Sequence, residues 1–143
     1  MKIRHVMLGK TRRAEVRALV DDYVTRIARF TAIEITELRE DSSASFRKLT
    51  FDSAATIVLL DDAGKHHTSS QFAKWLGEMR DRGAREIVFL CGAAEGFPDA
   101  LRRRATQKLS LSSLTFSHEL ARVMLVEQLY RAFAILAGHP YPK

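Results

Sequence analysis

The sequence predicts an α/β fold: a mostly parallel sheet with helices on both faces. Strand-like and helix-like segments alternate in the order β-α-β-(α)-β-α-β-α-β-α, the pattern of parallel strands joined by helical crossovers. One strand, Thr56–Leu60 (TIVLL), is apolar without a break, as expected of a strand covered on both faces. A length of 143 residues, with no linker, repeat or low-complexity stretch, makes this one domain over residues 1–143.

Lys2–Leu8 (KIRHVML) alternates as a strand, and Gly9 ends it. From Thr11 to Arg29, Val16, Leu19, Val20, Tyr23, Val24 and Ile27 recur at helical spacing. Asp22 and Arg26 sit one turn apart on the wet side of that helix, in the favourable order. Ile33–Leu38 (IEITEL) alternates as a half-buried strand, and the polar, Ser-rich stretch Arg39–Asp52 reads as a loop with room for a short helix. After Thr56–Leu60, Ser69 or Ser70 can cap a helix running to about Arg80. Gly83 precedes the strand Glu86–Cys91 (EIVFLC). A glycine loop (Gly92–Pro98, GAAEGFP), a helix and a strand over Leu109–Phe116 (LSLSSLTF) follow. The last helix runs from about His118 to Ala137, and the tail is Gly138–Lys143.

That last helix is apolar almost all round: Leu120, Val123, Met124, Leu125, Val126, Leu129, Phe133, Ile135 and Leu136. A helix apolar on every side must be buried on every side. A domain this small cannot do that alone, so a homodimer through this helix is expected. Glu127 and Arg131, four residues apart, read either as a local ion pair or as a buried pair that fixes subunit or ligand geometry.

A net charge of +6 and a pI near 9.8 favour an anionic partner, nucleic acid being the commonest, over a merely soluble basic surface. Two basic clusters, Lys10, Arg12 and Arg13, then Arg102, Arg103, Arg104 and Lys108, suit phosphate-backbone contact. The single cysteine, Cys91, ends an apolar strand and reads as buried and reduced. No apolar run has membrane-spanning length and no signal-peptide pattern opens the chain, so a cytoplasmic protein with no membrane partner is expected.

Ligands of open α/β sheets bind beyond the carboxyl ends of the strands, which puts any chemistry between Gly92 and the Leu114–His118 turn. The Gly92–Gly96 loop is neither GxGxxG nor a Walker loop, and reads as a plain turn or as a close backbone approach to a ligand. His66-His67 lack the companions of a metal site, so no metal is expected. His5 reads as structural. His118, Glu119 and Arg122 open the last helix beside a strand end, with Ser117 as its cap, and can orient a polar or anionic group. No nucleophile signature supports covalent catalysis.

The blocks FLCGAAEGF, LSLSSLTFSHELARVMLVEQLYRAF and GHPY, with Lys2–Lys10 and Val58–Lys65 collinear ahead of them, closely resemble the ribosomal RNA large subunit methyltransferase H family of the SPOUT superfamily. The resemblance covers the whole chain. It implies an α/β knot, a C-terminal trefoil of the kind that is rare among folds. It also implies a homodimer that uses S-adenosyl-L-methionine to methylate N3 of a pseudouridine in 23S rRNA on the assembled ribosome. Carried over by position, cofactor contacts fall on Leu60, Gly92, Glu95, Gly96, Leu111, Ser112, Ser113, Leu114, Thr115 and Phe116. His118 and Glu127 are the candidate bases for N3. Arg122 or Arg131 would stabilise charge on the base carbonyls, with His118, Glu127 and Arg122 the nominated catalytic set. Arg131, His139, Tyr141, Lys10 and Arg12 would contact RNA, the tail reaching a site shared with the other subunit. Ala93 stands where the family has a second glycine, Ser117 where it has proline, and Pro142-Lys143 where many relatives have a histidine. The rival readings are a SPOUT enzyme acting on another RNA, such as tRNA, and a non-catalytic RNA- or ribosome-binding module.

Overall fold

A computed structural model describes residues 1–39, 51, 54–92, 97 and 99–141. Its elements are β1 (Lys2–Leu8), α1 (Ala14–Ile27), β2 (Ala32–Leu38), β3 (Thr56–His66), α2 (Ser69–Asp81), β4 (Glu86–Cys91), α3 (Asp99–Arg102), β5 (Gln107–Ser110) and α4 (His118–Leu136). The strands form one sheet in the order β2-β1-β4-β3-β5, and every pairing is parallel. All carboxyl ends therefore point to one edge. The expected α/β architecture is met; the Arg39–Asp52 loop lies almost wholly outside the described residues.

The central strand β4 is buried at all six positions, and its alternation sorts them between two cores. Ile87, Phe89 and Cys91 face the three long helices, with Ile3 and Met7 of β1 beside them. Val88 and Leu90 face the other side, where Val6, Leu8, Ile57 and Leu59 meet Phe97, Phe51 and Ala105. The long helices thus share one face among the described residues. The second face carries Phe97 and Ala105, which bracket the one-turn α3.

Helix α4 packs between α1 and α2. On the α1 side, Tyr23 and Phe30 meet Tyr130 at ring-centroid distances of 6.0 and 6.1 Å. On the α2 side, Gly77 leaves room for Leu136: a Cβ there would lie 2.9 Å from a Leu136 methyl carbon. Ser117 caps α4, its Oγ accepting the Leu120 N–H at 3.3 Å. Gly138, at φ +68°, then turns the tail, and the His139 N–H returns to the Ala134 carbonyl at 2.8 Å.

Three boundaries differ from the sequence reading. The cap of α2 is Thr68 rather than Ser69 or Ser70, because Thr68 and Gln71 form a reciprocal capping box. Strand β3 continues to His66 through an irregularity between Leu60 and Lys65, both of which align with Leu109 of β5. The strand expected over Leu109–Phe116 begins earlier and stops at Ser110. Serine side chains capture the backbone there: Ser110 Oγ donates to the Ser112 carbonyl at 3.0 Å, and Ser112 Oγ accepts the Leu114 N–H at 2.9 Å. Leu111–Phe116 is consequently a loop that folds back over the end of the sheet.

Candidate functional site

That loop, with the ends of β3 and β4, walls a cleft of about 330 Å³ at the carboxyl edge. Leu59, Leu60, Cys91, Leu109, Leu111 and Phe116 supply apolar surface, and Gly92, Ser112, Leu114, Thr115 and His118 also line it. Of the residues carried over for the cofactor, Leu60, Gly92, Leu111, Ser112, Leu114, Thr115 and Phe116 meet here. Ser113 is exposed and is not among the lining residues. Glu95, Gly96 and the divergent Ala93 lie outside the described residues.

The spacing of side chains missed several wall residues. Asp61, Asp62, Phe97, Arg102 and Ala121 line the cleft, and Arg102 stands 3.6 Å from the Asp61 carboxylate. Cys91 lies at its base with its pKa pushed up to about 11 by burial, so the thiol is protonated and inert at neutral pH.

Of the nominated catalytic groups, His118 alone lines the cleft. Arg122 is fully buried and turned toward the β1–α1 connection. Its guanidinium donates to the carbonyls of Leu8 (2.7 Å) and Gly9 (2.8 Å) and to Thr11 Oγ1 (2.8 Å). Its neighbour Glu119 accepts the backbone N–H groups of Arg12 and Arg13. These bonds hold its carboxyl below the usual carboxylate range, Arg13 contributing most. The first turn of α4 therefore grips the connection that carries Lys10, Arg12 and Arg13, whose side chains are exposed.

Glu127, Arg131 and Tyr141 form a second group farther along α4. Arg131 Nε donates to Glu127 at 3.0 Å, the Arg131 guanidinium lies 4.7 Å from the Tyr141 ring centre, and Tyr141 Oη reaches Glu127 at 3.4 Å. Tyr23 and Tyr141 hydroxyls are 2.9 Å apart, and burial raises the Tyr141 pKa. Arg131 is 13 residues from His118, about 20 Å along a helix. This group thus does not serve the cleft of its own chain. His139 is exposed beside it.

Among the described residues no three His, Cys, Asp or Glu side chains group as a metal site. No described helix is long and apolar enough to cross a membrane.

A family model described as "Predicted SPOUT methyltransferase" matches residues 1–142. The chain belongs to this family. Within it, the chain is 37% identical to the ribosomal RNA large subunit methyltransferase H of Geotalea daltonii, with 99% of each chain covered. The proteins of that name from Geobacter metallireducens and Koribacter versatilis are 40% and 39% identical, over 99% of this chain and 98% and 97% of theirs. A solved probable methylase family protein from Haemophilus influenzae Rd KW20 shares the fold at a TM-score of 0.60 and 10% identity, covering 99% of this chain and 72% of that one.

The cleft also fits S-adenosylmethionine. Its volume falls at the lower end of the roughly 300–1,000 Å³ of small-molecule sites. Its apolar side chains suit an adenine ring. Its one described guanidinium, on Arg102, is offset by Asp61 and Asp62, so a cationic sulfonium meets no net positive wall.

Proposed function

We propose that this protein is an S-adenosylmethionine-dependent methyltransferase of large-subunit ribosomal RNA, methylating N3 of a pseudouridine on the assembled ribosome in the cytoplasm. The carrying observation is the match to large-subunit ribosomal RNA methyltransferases over 99% of the chain, with the motif residues Leu60, Gly92, Leu111, Ser112, Leu114, Thr115 and Phe116 gathered around one cleft. When bound, the cofactor supplies an electrophilic methyl group on a sulfonium.

The chain's own residues have the remaining tasks. Leu60, Gly92 and the Leu111–Phe116 loop hold the cofactor; Gly92 permits close backbone approach. N3 must lose its proton for transfer, and in this reading His118, which lines the cleft, takes it. The protonated Cys91 takes no covalent part. Lys10 and Arg12, held on their rigid turn, meet RNA phosphates.

The working unit in this reading is a homodimer with the family's trefoil knot. Leu120 (40% exposed) and Met124 (38%) leave apolar surface bare on the side of α4 turned away from its own domain, with Ile135 (47%) farther along. Helical spacing puts Glu127 and Arg131 on that side too. Two copies pairing these faces antiparallel bring Arg131, Tyr141 and His139 of one toward His118 of the other. Arg131 then stabilises charge developing on the base carbonyls, and Tyr141 or His139 contacts the nucleotide.

The test is methylation of ribosomes purified from a strain lacking this protein, with mass mapping of the large-subunit RNA and calorimetry against S-adenosylmethionine. A new N3-methyl mark in a pseudouridine loop is expected. Methylation of tRNA alone would replace the substrate, and absence of cofactor binding by folded protein would leave only an RNA-binding module.

A further inference from the structure

Behind β5 lies a second recess of about 230 Å³. Phe72 and Leu109 form its apolar floor, 4% and 7% exposed. Trp75, only partly buried, is fixed in an aromatic pile: it stacks on Phe72 at 5.7 Å and 14° and meets Phe89 edge-on at 6.3 Å. The rim carries Lys65, Lys108 and His67, and no carboxylate lines it among the described residues. Lys65 aligns with Leu109 and so leaves the sheet on the recess face, whereas the Lys108 side chain, aligned with Leu59 of the opposite core, leaves it on the other. Both ammonium groups are on exposed residues and neither joins an ion pair among the described residues. Burial, then Lys65, lowers the His67 pKa, so its ring is neutral at pH 7 and can both donate and accept.

A rigid aromatic wall with a lysine at its rim that joins no ion pair among the described residues suits a planar ring attached to phosphate. The recess is smaller than whole small-molecule sites, which fits one ring of an extended chain better than a free cofactor. It shares Leu109 with the catalytic cleft, so its occupant would lie close to the target nucleotide.

We infer that this recess is a nucleobase pocket, taking one unpaired base of the RNA substrate against Trp75, with an adjoining phosphate on Lys65. The inference rests on the RNA-methylating reading and extends it to a second, specificity-determining contact outside the cleft.

The test uses full-length protein and ribosomes from a strain lacking it. Trp75→Ala should raise KM for ribosomes about tenfold, with kcat and S-adenosylmethionine affinity unchanged and Trp75→Phe close to wild type. Lys65→Gln should lower the salt slope of RNA binding by about one. Trp75 is the only tryptophan, so its fluorescence reports the pocket in unmodified protein. Oligouridylate should quench it, and an abasic oligomer of equal length should not. Unchanged KM in Trp75→Ala, or equal quenching by the abasic strand, overturns the pocket while leaving the methyltransferase reading intact. A Trp75→Ala protein that becomes monomeric assigns the recess to a second copy instead. Wild-type protein that methylates no ribosomal RNA removes the reading beneath it.

Discussion

Glu119, in the first turn of the last helix, accepts the backbone N–H of Arg13, the N-cap residue of the first helix, at 3.0 Å. The same oxygen takes the Arg12 N–H at 3.1 Å across 107 residues of sequence. Arg13 offers α1 no side-chain cap of its own, so a carboxylate from α4 satisfies the orphan donors. Glu119→Gln should cost about 1–2 kcal/mol in urea unfolding at neutral pH. Because the folded carboxyl has a lowered pKa, its contribution is present above the unfolded value of about 4.5 and is lost as pH falls through the folded value. The Gln variant should therefore show a flatter stability profile below about pH 4.5 than wild type. Parallel profiles would deny the capping role.

Arg122 does for the carbonyls of that connection what Glu119 does for its N–H groups. Replacing it with Met leaves the Leu8 and Gly9 carbonyls buried without their donors, and should cost about 3 kcal/mol or more. Arg122→Lys cannot reproduce the fork and should cost about 2 kcal/mol. If Arg122 acted in the cleft rather than on this connection, the Lys variant would keep its stability and lose turnover. Denaturation curves and single-turnover rates separate the two.

His5 is fully buried in β1, and neither ring nitrogen has a hydrogen-bond partner among the described residues. Burial, helped by the Arg122 charge, drives its pKa down from 6.5 to about 3. Between those values the unfolded chain binds a proton that the folded chain refuses. Stability is therefore lost as pH falls from 6.5, by about 2 kcal/mol at pH 5. His5→Leu should remove this slope and be no less stable at pH 5 than wild type. A wild-type stability that is level from pH 7 to pH 5 would show the imidazole to be protonated in the fold.

The legible parts of the fold were those set by periodicity and local capping. The unbroken apolar run of β4, the three-and-four spacing of α1 and the Ser117 cap all follow from neighbours in sequence. The end of β5 was not legible, because LSLSS alternates like a strand while its serines bond their own backbone. Arg122 carried a misleading signal. A charge in an apolar helix marks something consequential, but its partners Leu8, Gly9 and Thr11 are more than a hundred residues away. Motif resemblance named Gly92, Leu111, Ser112, Leu114, Thr115 and Phe116, which the fold brings around one cleft. It could not reveal that Arg131 and Tyr141 gather about 20 Å along α4 from His118.

Gly64 shows why the two strands flanking the cleft need a residue without a side chain. A Cβ there would lie 2.8 Å from the Leu109 nitrogen and the Lys108 carbonyl carbon, backbone atoms that cannot swing aside. Gly64→Ala should separate β3 from β5, cost about 2 kcal/mol or more, and weaken cofactor binding through the displaced Leu109. Gly92→Val should instead abolish cofactor binding by filling the cleft wall, with a smaller effect on melting. Calorimetry paired with thermal unfolding distinguishes them. Wild-type affinity in Gly92→Val would remove Gly92 from the cofactor wall.

The apolar face of α4 yields the most direct test of the subunit arrangement. Leu120 and Met124 lie one turn apart and are 40% and 38% exposed, so a charge at either should not disturb the chain's own core. In a dimer built on this face the same charge is buried against its symmetry mate, where two like charges cannot both be solvated. Met124→Glu and Leu120→Asp should therefore give folded monomers by sedimentation velocity. S-adenosylmethionine binding should persist, because Leu120 and Met124 are not among the residues that line the cleft. Methyl transfer should fall about a hundredfold, since Arg131 and Tyr141 of the second copy no longer reach the target. Monomers with full activity would locate the whole catalytic apparatus within a single chain, and intact dimers would move the interface elsewhere.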